Sequence, residues 1–286
     1  GEERGCTLPG GIQMLRKLLK QEFRATARVM LPLYLVTFVL ALAVRLVLLL
    51  SQNQVLLDSV GGRTLRAILL GVSVTAFVVA TIATFLAALI QAVLRFRSNL
   101  LGDEGYVMFT LPVSTHQLVW AKLITSVVWF LGAAVIDVLA LLALVVNLGM
   151  FQEFGRFVIE VKEQLTAYLV GNGIAFLVEL ALLFVVGCLV LCLNFYAPLA
   201  IGHSFARHKL LWSVVFFFAI QIVIQIIGGV FGLIALPHLW NVNFNFMTAA
   251  AAAHAMMWSS ILVTAIYGAI LYGVTLYMLR KRLNLE

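Results

Sequence analysis

The sequence has few charged residues, and this scarcity excludes most classes of soluble protein. Only 11% of its 286 residues are Asp, Glu, Lys or Arg, whereas 63% are hydrophobic. Soluble domains carry about 25% charged residues. Several apolar runs here exceed the ~18 residues that predict a membrane helix. Because barrel strands would be short and alternating, the continuous runs predict an all-α, polytopic membrane protein.

Motifs of hydrolytic and metal-dependent enzymes are also missing. The chain has no G-x-x-x-x-G-K-[ST] phosphate-binding loop, no H-E-x-x-H and no G-x-S-x-G. Two of its three cysteines, Cys188 and Cys192, lie one turn apart in a predicted span, without a histidine or acid to complete a metal site. We expect these two to be inert buried thiols. We therefore expect no catalysis, no metal and no cofactor on this chain.

The apolar runs and their basic flanks predict six spans and an orientation. The spans cover residues 29–50, 67–95, 120–148, 169–194, 211–236 and 256–279. Most of the 19 Lys and Arg residues lie before the first span, after the second, before the fifth and after the sixth. The positive-inside rule then puts both termini in the cytoplasm. The net charge of +7 suits anionic lipid headgroups better than nucleic acid.

Two segments outside these spans have distinctive patterns. Residues 12–28 place apolar side chains at helical spacing between basic flanks, which predicts an amphipathic helix in the cytoplasmic interface. Residues 237–255 contain no Asp, Glu, Lys or Arg and are rich in alanine. They predict a short re-entrant helix in the outer leaflet, because backbone at that depth must be helical or covered by protein.

The predicted cytoplasmic segment 97–119 is more elaborate than a plain connection. Acids follow Gly102, aromatic residues follow the acids, and Pro112 precedes Ser114. Ser114 can cap a new helix, and Gln117 stands at the capping-box position three residues later. Aromatic side chains beside acids favour a docking site for another protein over a merely solvated loop.

These residues carry a family resemblance. The stretch "LLGDEGYVMFTLPVSTHQLVWAKL" resembles the segment after the second span in bacterial type-2 ABC transporter permeases. Those often have acid–Gly–Tyr, then Thr-Leu-Pro-Val-Ser, and then a Lys that opens the third span. The start, "LRKLLKQEFRATARVMLPLYL", is similar to the basic interfacial helix and first span of the same family.

The resemblance implies a half-transporter in the bacterial cell membrane. A separate ATPase subunit would bind ATP and Mg, and two permeases, identical or related, would join two ATPases. Residues 97–119 would hold the coupling helix, 12–28 would be the connecting helix and 237–255 the re-entrant element. By position, the contacts to the ATPase would be Leu100, Asp103, Glu104, Tyr106 and Phe109.

Apart from Arg95 and Lys122 at span ends, three charged residues fall inside predicted spans, namely Arg45, Asp137 and Glu179. A charge that faces lipid costs several kcal/mol, roughly 3 on insertion scales, so such groups are expected to be paired. We predict that Arg45 pairs with Asp137, with Glu179 or with both. A clamp that holds the first, third and fourth spans together fits better than a proton relay, which would need acids in series across the membrane.

Small and amide side chains form a stripe on the fifth span. Its members recur at one-turn spacing and are Gln221, Gln225, Gly228, Gly229 and Gly232. Small residues let helices approach closely, and amides hydrogen-bond across the contact. The stripe is therefore either a packing face within the chain or a face toward a dimer seam or substrate groove. Thr84 belongs to a comparable small and polar face on the second span.

These features favour an exporter subunit without catalysis of its own, moving a lipophilic or amphipathic substrate such as a peptide, drug or lipid. A membrane sensor or scaffold fits the same topology and is the main alternative. A secondary transporter would need midplane ion sites and an internal repeat. No convincing repeat relates residues 1–140 to residues 141–286.

Overall fold

The computed structural model describes residues 10–50, 60–102, 105, 114–145, 156, 159–160, 163, 173–205, 207–240 and 246–281. These residues contain six long helices and no strand. The helices are α1 (Gly10–Leu50), α2 (Val60–Phe96), α3 (Thr115–Val145), α4 (Gly173–Gly202), α5 (Lys209–Trp240) and α6 (Phe246–Lys281). Each is long and apolar enough to cross a membrane, which confirms the prediction of an all-helical, six-span chain.

The helices are longer than the predicted spans. They have 30 to 41 residues, or about 45–60 Å at 1.5 Å per residue. The hydrocarbon core of a bilayer is ~30 Å thick, so each helix extends beyond the apolar layer.

Two predicted boundaries are absent from the structure. The interfacial segment 12–28 and the first span form one continuous helix, α1, which contains Pro32. Composition changes at residue 28, but no helix-terminating residue stands there, and membrane helices tolerate proline. Similarly, α5 continues to Trp240, and α6 begins at Phe246 and runs through the alanine-rich stretch without a break. Alanine is the strongest helix former, so this stretch extends the last span. Residues 241–245 lie outside the described residues.

The chain divides into two compact units. The amino-terminal unit consists of Arg16–Gln91 and Ile124–Ile159. Its buried residues on α1 repeat every three or four positions, as one face of a helix requires, and are Glu22, Thr26, Met30, Tyr34, Thr37, Ala41 and Val44. Trp129 on α3 joins this face, since its indole donates to Thr26 Oγ1 at 2.7 Å and its carbonyl accepts from the Tyr34 hydroxyl.

The carboxy-terminal unit consists of Gly1–Leu15, Ala92–Leu123 and Glu160–Glu286. Within it, α4 packs against α5 and α6. A Cβ at Gly268 of α6 would lie 2.6 Å from Val190 Cγ2 of α4, so glycine permits the close approach of these helices. Cys188 and Cys192 are buried in α4, as the sequence predicted.

Candidate coupling segment and intramembrane polar groups

The segment after α2 starts from a well-packed base. A π-helical turn, Arg97–Leu101, follows α2 and buries Asn99, Leu100 and Leu101. Phe96, the last residue of α2, stacks on Tyr196 of α4 with ring centroids 3.9 Å apart and planes 7° from parallel. Both rings are completely buried. The Tyr196 hydroxyl also donates to the Ala92 carbonyl at 3.3 Å, so the end of α2 is fixed to α4.

The far end of the segment is fixed by the predicted capping box. The Ser114 backbone N–H donates to Gln117 Oε1 at 3.2 Å, and the Gln117 N–H donates to Ser114 Oγ at 3.3 Å. This reciprocal pair starts α3 at Thr115. Beyond it, Leu118 and Val119 are buried, so the first turn of α3 is also packed.

Most of the predicted coupling residues cannot be placed. Asp103, Glu104, Tyr106 and Phe109 lie outside the described residues. Leu100 is described, and none of its side chain is exposed. It has no surface to offer a partner chain, so its role is packing at the base of the segment and not contact with an ATPase. Sequence position alone could not distinguish these roles, because a leucine suits either.

His203, just after α4, lies in a cationic setting. It is 5% exposed, and its Nδ1 lies 2.8 Å from the Leu199 carbonyl. Burial lowers the pKa of His203, and the positive charges of Lys209 and Arg97 lower it further, while the bond to Leu199 acts in the opposite direction. The neutral imidazole is therefore favoured where the ends of α2 and α4 meet the start of α5.

Acid is expected to destabilise the protein through His203. The unfolded chain binds this proton near pH 6.5 and the folded chain only at lower pH. The contribution to the free energy of unfolding is therefore complete above pH 6.5 and is lost as the pH falls toward the folded pKa. When the pH is lowered from neutral to acidic, we expect the melting temperature of His203→Gln to fall less than that of the wild type. Glutamine retains a hydrogen-bond donor for the Leu199 carbonyl.

The matched control for this pH series is His208→Asn. His208 is exposed and has φ 56°, a conformation that asparagine tolerates. Its acid sensitivity should equal that of the wild type. An unchanged pH response in the His203 variant would contradict the assignment.

In the amino-terminal unit, Arg45 and Asp137 have contacts other than the predicted ion pair. Arg45 Nη1 donates to the carbonyls of Ala143 and Leu144 in the last turn of α3, at 3.2 and 3.0 Å. A guanidinium at the C-terminal end of a helix is stabilised by the partial negative charge there. Asp137 Oδ1 accepts from Thr81 at 3.4 Å, while its buried Oδ2 has no hydrogen bond to any described residue. The pairing of Arg45 with Asp137 stays a prediction.

In the carboxy-terminal unit, the partner of Glu179 is His254. Nδ1 of His254 on α6 lies 2.9 Å from both carboxylate oxygens of Glu179 on α4. Glu179 is 6% exposed, and the Phe176 ring packs edge-on against the imidazole at 6.3 Å. The sequence does not predict this pair, because His254 falls in the segment 237–255 between the predicted fifth and sixth spans. A histidine that follows a run of alanines, and so continues a helix, was the available signal.

Asn194 on α4 is the centre of a second polar contact that the sequence missed. Gln221 Nε2 of α5 donates to Asn194 Oδ1 at 3.2 Å, and the Tyr267 hydroxyl of α6 donates to the same oxygen. Gln221 is thus a packing residue within the chain. An asparagine inside a predicted span was the available signal, since such residues usually bond across helices.

Unlike Gln221, three other residues of the stripe on α5 are exposed. Gln225, Gly228 and Gly229 are exposed, and a Cβ at either glycine would meet nothing within 4 Å. These three residues therefore do not serve packing within the described chain. Gly232 also lies in α5, but its burial is not among the described features of the chain.

Thr84 is an internal residue in the amino-terminal unit. It is 0% exposed, lies 2.9 Å from the Thr37 hydroxyl, and donates to the Ala80 carbonyl at 2.8 Å. A side chain with no exposed surface does not line a dimer seam or an open substrate path. Thr84 therefore belongs to the contact between α1 and α2.

The described geometry comprises six apolar helices, an interhelical segment fixed at both ends, and polar contacts inside the spans. No protein-family model, curated protein or solved structure matches the chain. The six helices alone indicate a multi-pass membrane protein.

Proposed function

We propose that this chain is the permease subunit of an ATP-driven exporter in the bacterial plasma membrane. It would move a lipophilic or amphipathic substrate outward, with ATP and Mg bound by a separate P-loop ATPase. Export, the cytoplasmic position of both termini, and a re-entrant element within residues 237–255 are parts of this proposal. It rests on the sequence resemblance together with the way the segment between α2 and α3 is fixed.

The observation that carries the proposal is the anchoring of that segment. Its first end continues from the stacked Phe96–Tyr196 pair, and its second end is the Ser114–Gln117 capping box. A segment that transmits the movement of a partner protein must be attached firmly to the helices at both of its ends. Here both ends of the segment are fixed by these contacts, so displacement of the segment would move α2 and α3 directly. A solvated loop needs no such anchoring.

A second copy of the permease is supported by α5. Among the side chains described in α5, Ser213 alone is buried. The exposed face includes Gln225, whose amide would be costly against hydrocarbon, and the open Gly228–Gly229 surface. Small residues beside an amide suit close helix–helix association. We therefore propose that this face meets another permease, identical or related.

Charge reversal tests the proposed coupling. Affinity purification from native membranes is expected to recover a P-loop ATPase with this chain. We expect Asp103→Lys combined with Glu104→Lys to reduce co-purification, and stimulation of ATP hydrolysis, by at least about tenfold, since central interface residues contribute ~2 kcal/mol or more.

Glu160→Lys combined with Glu163→Lys is the matched control. It makes the same charge change at exposed acids, which the predicted topology puts on the opposite side of the membrane. It should leave ATPase binding intact. A chain that purifies without any ATPase, or loses it equally in both variants, would instead favour a sensor or scaffold.

A further inference from the structure

The carboxy-terminal unit contains an apolar groove that the proposed coupling does not use. Its volume is 280 Å³, and its walls come from the start of α3 and from α4 and α6. The lining side chains include Trp120, Leu123, Val186, Leu193, Ala265 and Ala269. Ala265 and Ala269 are exposed, so the groove opens on the surface of the chain. All its walls belong to helices long and apolar enough to cross a membrane.

One end of the groove is polar. Tyr272 lines it, and its hydroxyl lies 2.8 Å from Nδ1 of the exposed His116. The Trp120 ring packs against Tyr272 with centroids 5.9 Å apart. Arg280, two turns farther along α6, is exposed and close enough to act electrostatically on Tyr272. The hydrogen-bonded His116–Tyr272 pair thus lies at one end of an apolar slot, and Arg280 lies beyond it on the same helix as Tyr272.

We propose that this groove binds an anionic phospholipid of the surrounding bilayer, with one acyl chain in the slot and the phosphate beside Arg280. The lining of the slot is almost entirely apolar, which suits an acyl chain. The guanidinium and the His116–Tyr272 pair supply a charge and hydrogen bonds for phosphate oxygens. A zwitterionic lipid would bring a second cation near Arg280, so the site favours a net negative headgroup.

The position of Arg280 on the helix supports this occupant. Arg280 lies in the last described turn of α6, and the apolar part of the span precedes it along the helix. Such a position places the charge at headgroup depth while the slot runs into the hydrocarbon. An amphipathic molecule with a charged head and a long tail matches that order, and bilayer lipid is the most concentrated molecule of this kind.

Lipid retention tests the headgroup contact. The full-length protein would be purified in mild detergent, mixed with phosphatidylglycerol or phosphatidylcholine, and analysed by native mass spectrometry. We expect preferential retention of phosphatidylglycerol, and a loss of about fivefold in Arg280→Gln, the effect of ~1 kcal/mol per basic residue near an anionic surface. Lys281→Gln is the matched control, because Lys281 Nζ lies instead over the Tyr277 ring at 5.6 Å. It should retain the wild-type preference.

Filling the slot tests the acyl-chain contact. Ala269→Phe places a ring in the groove, whereas Ile270→Phe adds an aromatic ring at the neighbouring exposed position outside the lining. We expect the first to release bound phosphatidylglycerol and the second to leave it. Added inorganic phosphate should not displace the lipid. Equal losses in the Arg280 and Lys281 variants, or full retention in Ala269→Phe, would overturn the proposal without affecting the ATPase assay.

Discussion

Gly202→Ala is expected to destabilise the protein severely. Gly202 ends α4, where the chain turns into α5. A Cβ at this position would overlap Ser213 Oγ and lie 2.5 Å from the Ser213 nitrogen and 2.7 Å from the Lys209 carbonyl oxygen. Two of these atoms belong to the backbone of α5, so a side-chain rotation cannot relieve the clash. Overpacking against backbone is expected to cost about 3 kcal/mol of unfolding free energy.

Gly187→Ala provides the control on the same helix. A Cβ at Gly187 meets nothing within 4 Å, so alanine adds no clash there and improves helix propensity. Unfolding in mixed micelles of increasing SDS content should show a large loss for the first variant and none for the second. Equal stability of the two variants would refute the close packing of α4 against the start of α5.

His254→Leu is the second change with a large expected effect. It removes the hydrogen-bond partner of Glu179, a residue that is 6% exposed and whose carboxylate is bonded to Nδ1 of His254. Breaking a buried pair by removing one partner costs about 3 kcal/mol, because the remaining polar group is left buried without its hydrogen bond. We expect a loss of this size in micellar unfolding, because the change removes one of the polar contacts between α4 and α6.

Glu179→Leu combined with His254→Leu should restore most of the lost stability. Replacing both members of a buried pair by apolar residues leaves no stranded charge, and such exchanges are often neutral. The single variant should therefore be less stable than the double variant. If the double variant proved as unstable as the single one, shape complementarity and not charge pairing would explain the role of these residues.

Patterns within short stretches of sequence predicted the helices and the N-terminal capping box of α3. Apolar runs longer than 18 residues locate the six long helices of the described residues, because the lipid environment leaves few alternatives to a helix. The Ser114–Gln117 capping box could be read from two residues at fixed spacing, because all its partners lie within four positions. The burial of Cys188 and Cys192 follows from their place in the middle of a span.

Contacts between distant residues were harder to predict. Glu179 and His254 are 75 positions apart, and nothing in their local sequence indicates that they meet. The same is true of Leu100 and Thr84, which look like surface candidates until the packing around them is known. Helix ends beyond the membrane also escaped prediction, since apolarity marks where a span crosses hydrocarbon and not where its hydrogen bonding stops.

The shared acceptor at Asn194 has a mechanical consequence. A carbonyl oxygen has two lone pairs, and here Gln221 and Tyr267 use both from opposite helices. Twisting α4 about its axis would strain the two bonds at once, so neither neighbour can be released alone. We therefore expect α4, α5 and α6 to rotate together at this level, because rotating α4 alone would break both hydrogen bonds.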